Sequence, residues 1–193
     1  PKMVIVKNRG RAGTNWPVYH TGMDIAANKH VFLNTTAAQA VDTTLFNATF
    51  DATDIYVNSS NDTNLEADTY VAYCFAEVAG FSRLGSYTGN GAADGPFVWC
   101  GFRPKYVLIR RTDAIQDWAI FDGARSPYNV GTVGLKPNAS EAEYTANDRD
   151  FLSNGFKLRA LGGDINASGA PYIFAAFAEY PFGGSGTTQG KAR

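Results

Sequence analysis

The chain has 193 residues, 45% of them hydrophobic and 18% charged, with a formal net charge of −1. That is a folding composition, long enough for one large unit or two of about 100 residues. The near-zero charge supplies no field to attract nucleic acid, and no apolar run approaches the ~20 residues of a membrane-spanning helix. Neither nucleic acid nor membrane insertion is therefore expected.

Pro1–Lys7, PKMVIVK, is a Pro-Lys entry, four apolar residues and a basic exit. An apolar run that short, bounded by polar segments, predicts a strand buried on both faces. Asn15–His20, NWPVYH, alternates with period two and predicts the second strand. Val31–Asn34 follows, and the polar Ala37–Ala40 shows no sustained helical period. Phe50–Val57, FDATDIYV, carries a turn at its middle. Asn58–Asn64, NSSNDTN, is rich in oxygen ligands but lacks the spacing of a calcium loop, and reads as a solvated loop. Tyr70–Phe81, YVAYCFAEVAGF, predicts another strand. Beyond it, Leu84–Tyr87 and Phe97–Phe102 flank Asn90-Gly91, a hairpin signal because both residues tolerate positive φ.

The chain then repeats itself at an offset of 101 to 103 positions. Pro104–Arg110, PKYVLIR, lies over Pro1–Lys7, and Asp117–Asp122, DWAIFD, over Asn15–His20. Val133–Lys136 lies over Val31–Asn34, and Phe151–Leu158, FLSNGFKL, over Phe50–Val57, with Gly155 predicted at a positive-φ turn position. Tyr172–Phe182, YIFAAFAEYPF, closes the series over Tyr70–Phe81. Many short strands, turn residues and no periodic helix predict an all-β fold. It consists of two tandem duplicated antiparallel β-sandwich modules, jelly-roll or lectin-like, over 1–81 and 82–182, with a Gly/Ser/Thr-rich tail at 183–193. One larger sandwich with interleaved repeats is the alternative. The first module lacks the opening hairpin of the second, which predicts further polypeptide ahead of Pro1.

Duplication supplies an internal control for chemistry, because a side chain needed by the fold recurs in both copies. His20 and His30 are the two histidines; His20 falls over Asp122, and no zinc-ligand spacing is present. There is no Gly-X-Ser-X-Gly elbow, and the glycines at 85, 89, 91 and 95 lack the lysine and helix of a phosphate loop. Cys74 and Cys100 lie in apolar runs and read as buried thiols rather than a disulfide. Glu77 and Glu179 recur as strand-end carboxylates satisfied by neighbours; a glycoside hydrolase needs two such acids across a cleft and is the enzymatic alternative. No catalytic residue, metal or cofactor is expected. Trp16/Trp118, Tyr70/Tyr172 and Phe75/Phe177 recur and are assigned to packing. Tyr87, Tyr128, Tyr144 and Tyr180 are assigned to loops and are the candidates for stacking on a sugar ligand.

The stretches PKMVIVKNRGRAGTNWPVYH, DTYVAYCFAEVAGFSRLGSYTGNG, DGPFVWCGFRPKYVLIRRTD, DFLSNGFKLR and YIFAAFAEYPF together resemble a family of bacteriophage proteins. The family is common in marine and environmental tailed phages, often towards the C-terminal end of tail-fibre or related virion proteins. The resemblance implies a virion structural protein on the phage particle, a homotrimeric fibre or appendage. Its partners are then a host-surface glycan or a neighbouring virion protein. It carries no catalytic or binding residue over to this chain. A glycan-binding module is the alternative function, and a polysaccharide depolymerase a further one.

Overall fold

The structure is a computed structural model that describes residues 1–47 and 50–181. The predicted 183–193 tail lies outside the described residues. The strands are β1 (Met3–Asn8), β2 (Pro17–His20), β3 (Lys29–Phe32), β4 (Ala40–Val41), β5 (Tyr70–Phe75), β6 (Ser82–Thr88), β7 (Phe97–Trp99), β8 (Pro104–Arg111), β9 (Trp118–Asp122), β10 (Gly131–Gly134), β11 (Tyr144–Leu152), β12 (Gly155–Leu158) and β13 (Pro171–Ala178). A single helical turn, α1 (Gly163–Asn166), and a 3-10 turn at Ile25–Ala27 are the helical elements among the described residues. The strands form three antiparallel sheets, ordered β4-β3-β2-β1-β5, β6-β13-β8-β9 and β10-β11-β12-β7. The all-β sandwich expectation is met.

Alternation along the strands shows why the sheets stack. In β1, Val4 and Val6 face a core capped by Leu45, Phe46 and the 50–57 loop, while Met3 and Ile5 face the second sheet. In β13, Tyr172, Phe174 and Ala176 face the third sheet, while Ile173 and Ala175 face the first. Strands covered on both sides need apolar residues at every position, which is why PKMVIVK and YIFAAF show no polar alternation. Each repeat thus closes a core of its own, and the two meet back to back across a third core that includes Met3, Ile5, Val18, Leu84, Leu108, Trp118 and Ile173. The interleaved arrangement is not what forms. Nor are the outer layers equal. The second repeat is covered by a four-stranded sheet, whereas Leu45, Phe46, Phe50, Ile55 and Val57 cover the first, with an isolated bridge Phe46↔Val57.

The register repeats with the sequence. Met3 pairs with Phe75 and His20, and Tyr106 pairs with Phe177 and Asp122. Polar contacts repeat with it. Trp16 N–H donates to Asn34 Oδ1 at 2.9 Å, and Trp118 N–H to Asn138 Oδ1 at 2.8 Å. The Tyr70 hydroxyl accepts from Leu65 N–H at 2.8 Å and donates to Asn61 O at 3.1 Å. Its counterpart Tyr172 accepts from Ala167 N–H at 2.8 Å and donates to Gly163 O at 2.7 Å. The basic exits recur as cations over tryptophan, Lys7 over Trp16 at 5.5 Å and Arg110 over Trp118 at 5.7 Å.

Two local expectations are corrected. The segment 82–102 is not a hairpin: β6 pairs with β13 and β7 with β12, in different sheets. Gly91 does take φ +65°, but the turn carries the chain between layers, and Asn90 N–H is held by Asn166 Oδ1 at 2.9 Å. Gly155 is not at a positive φ; a Cβ there would come within 2.1 Å of Val98 O, so close approach of β7 demands the glycine.

Candidate contact surface

Most groups with reactive chemistry are engaged in holding the fold. His20 is buried, accepts Gly22 N–H on Nδ1 at 2.9 Å and meets Phe174 O through Nε2 at 3.1 Å. A neutral ring protonated on Nε2 satisfies both, and burial lowers its pKa to about 4. Asp122, its counterpart, likewise accepts the N–H two residues on, from Ala124 at 3.0 Å. The pairing of a histidine with an aspartate across the repeats thus preserves one turn cap. Glu77 accepts Leu84 N–H at 3.2 Å and pairs with Arg83 at 3.3 Å. Glu179 pairs with Arg103 at 3.1 Å and Lys105 at 3.6 Å. Burial pushes the Asp148 carboxyl up despite Arg149 at 2.8 Å, and burial pushes the Cys100 thiol up to about 12. Cys74 and Cys100 are both free, and Cys74 is exposed rather than buried. Among the described residues, no three His, Cys, Asp or Glu side chains are grouped to hold a metal ion. None of the helices described is long and apolar enough to cross a membrane.

The four tyrosine candidates separate. Tyr87 lies on β6, not in a loop; it stacks on Tyr172 at 4.9 Å and 7°, and its hydroxyl donates to Ile165 O at 2.7 Å. Tyr144 opens β11 and packs against the second repeat's core, where burial raises its pKa. Tyr180, after β13, is 46% exposed, and Tyr128 is 82% exposed. Tyr128 precedes Asn129, which is locked to β11 by bonds to Phe151 O (3.0 Å) and Phe151 N–H (2.9 Å). Tyr87 and Tyr144 thus pack against the second repeat's core, while Tyr128 and Tyr180 are exposed.

A different aromatic group is presented together. Val98 enters the second repeat's core, so its neighbours Phe97 and Trp99 point to the opposite face of β7, and they are 44% and 55% exposed. Phe97 rests over Gly155, where a Cβ would approach its ring to 3.0 Å. Gly101, at φ +81°, brings the chain back so that a Cβ would stand 3.1 Å from the Trp99 indole. The Arg83 guanidinium lies 5.1 Å from the Trp99 ring centroid and is itself oriented by Glu77. Two exposed rings beside a charge pair offer apolar area with hydrogen-bonding groups at its rim, the composition of interface anchors. The alternation Phe97-Val98-Trp99 was the available signal for this surface; reading the whole stretch as apolar concealed it.

A second, open cleft is lined by Asn47, Phe50, Asp51 and Tyr56. Its carboxylate is committed: Asp51 accepts the Tyr56 hydroxyl at 2.5 Å and the N–H groups of Thr53 and Asp54 at 2.8 and 2.6 Å, which hold its pKa far below the usual carboxylate range.

No curated protein and no solved structure matches the chain. Residues 1–181 match the family described as Domain of unknown function (DUF7483), spanning both repeats and every strand above, and the chain belongs to that family.

Proposed function

We propose that this chain is a non-enzymatic structural module of a bacteriophage tail fibre or related appendage. In this reading it assembles as a homotrimer and meets the host surface or a neighbouring virion protein through the face that carries Phe97 and Trp99. The exposed pair of rings with Arg83 carries the proposal, because tryptophan and arginine are the residues most enriched among binding anchors. The repeated hydrogen bonds of Tyr70 and Tyr172 support a scaffold role for the rest. The phage setting rests on the sequence resemblance. Labelled antibody against the chain, imaged on intact particles, is expected to mark the tail or an appendage. Absence from purified virions, or degradation of host polysaccharide by the purified protein, overturns the reading.

Glycan binding is the second reading, favoured by the ion-paired Arg83 beside an open indole. A glycan array read with the unaltered chain and with Trp99→Ala tests it. Binding that is unchanged by the substitution removes this surface from the reading.

A further inference from the structure

The outer layer of the first repeat is short of cations. Residues 42–68 hold six acidic side chains and no lysine, arginine or histidine. Asp68 is paired with Arg11 from outside that stretch, whereas Asp51 has no cationic partner among the described residues. Asp51 lies in the open cleft with Asn47, Phe50 and Tyr56, whose volume of about 330 Å³ falls in the range of small-ligand sites.

The bonds to Asp51 fix its carboxylate without neutralising it. Oδ1 takes the N–H groups of Thr53 and Asp54, and Oδ2 takes the Tyr56 hydroxyl. A carboxylate oxygen has two acceptor positions, so Oδ2 keeps one open, and the Tyr56 oxygen, having given its proton, still accepts. Two rings wall the cleft beside these acceptors. Phe50 is held by stacking on Tyr19 at 3.9 Å and 14°, and Tyr56 is 41% exposed.

The second repeat shows that the fold does not require this arrangement. Phe151 lies over Phe50, but Leu152 lies over Asp51 and Lys157 over Tyr56. Lys157 brings a cation of its own and pairs with Asp94 at 2.8 Å. The first repeat thus has an anion and a hydroxyl where the second has an aliphatic group and a cation.

We propose that this cleft binds a primary ammonium group on an aliphatic stem, of the lysine side-chain type. The ammonium donates to Asp51 Oδ2 and to the Tyr56 oxygen, the Tyr56 ring adds cation–π attraction, and the stem is covered by Phe50. A quaternary ammonium lacks the N–H donors that these acceptors call for. A guanidinium needs two carboxylate oxygens side by side, and Oδ1 is already taken up by the turn. This inference is independent of the phage reading and of the Phe97–Trp99 face.

The test titrates Nα-acetyl-lysine methylamide into the full chain, with the ring protons of Phe50 and Tyr56 followed by NMR. A saturable shift with a Kd of about 1–10 mM is expected for one ammonium in an open site, so titration to about 50 mM reaches most of saturation. Nα-acetyl-norleucine methylamide, which has the stem without the charge, and choline are expected to bind at least about fivefold more weakly. Asp51→Asn keeps an acceptor for Thr53 and Asp54 and is expected to weaken binding about tenfold at an unchanged urea midpoint, and Tyr56→Phe about threefold. No saturable shift, equal binding of the norleucine compound, or unchanged binding by Asp51→Asn overturns the proposal. Tighter binding of choline, or of glucosamine, reassigns the cleft to a quaternary ammonium or an amino sugar and overturns it as well. If Asp51→Asn does not fold, the charged and uncharged compounds compared on the unaltered chain decide.

Discussion

Substituting Tyr172 by Phe removes one oxygen from a position that is 0% exposed. The ring, and its stacking on Tyr87 at 4.9 Å, are retained. The hydroxyl's two bonds are lost, to Ala167 N–H and Gly163 O, at 2.8 and 2.7 Å. Leaving a buried polar group without its partner costs ~1–3 kcal/mol. Both abandoned groups are half-buried beside α1 and gain some water, which places the expected loss near ~2 kcal/mol. For a chain of this length that lowers Tm by roughly 4–8 °C. Tyr70→Phe breaks the matching pair of contacts where solvent reaches them, together with a bond from Asn8 Nδ2 at 3.2 Å whose donor keeps Asn61 O and Asp68 as acceptors, and about 1 kcal/mol is expected. Urea titration of both variants, with the slope held to that of the parent, gives the comparison. A Tyr172→Phe loss below about 0.5 kcal/mol, or a larger loss for Tyr70→Phe, refutes the assignment of the repeated hydroxyl to scaffolding.

Burial holds the folded pKa of His20 at about 4, below the ordinary 6.5, and its Nδ1 is the acceptor of Gly22 N–H. The unfolded chain binds the extra proton first, and stability is expected to fall as pH drops from about 6.5 towards 4, by up to ~3 kcal/mol; His20→Gln is expected to flatten that part of the pH profile. Arg149→Met leaves Asp148 buried without its 2.8 Å partner and is expected to cost ~3–5 kcal/mol in urea, while Arg149→Met with Asp148→Leu recovers most of the loss. Trp99→Ala touches an exposed ring and is expected to change stability by less than about 1 kcal/mol, the scale of an exposed cation–π contact, while removing glycan or partner binding in the array.

The strands were legible where burial on both faces left no ambiguity, as in Met3–Val6, Val107–Arg110 and Tyr172–Ala176. The duplication made the scaffold legible too, since Trp16/Trp118 and Tyr70/Tyr172 recur in sequence and in hydrogen bonding. The layer to which a strand belongs was not legible. Asn90-Gly91 supplies the bend a hairpin needs, yet β7 gains more by entering the core formed with Phe156 and Leu158 than by lying beside β6. Local turn chemistry cannot report such a long-range choice. The loop assignment of Tyr87 failed for a related reason. Its flanking serine, threonine and glycines look like a connection, but the residues alternate across an edge strand whose one aromatic stacks inward on Tyr172. The Phe97–Trp99 surface was obscured because three consecutive large residues carry no polar mark of which two face outward.

Both cores of the second repeat's inner sheet depend on β13, the last of the described strands to be made. During synthesis the ribosome must deliver roughly the whole described chain before that sheet has its centre. Until then β6 and β8 wait unjoined, with the apolar flanks of Leu84, Val107 and Leu108 uncovered. A nascent chain stalled ahead of Pro171 is therefore expected to occupy a chaperone, and release is expected to coincide with emergence of Tyr172–Ala178 from the exit tunnel.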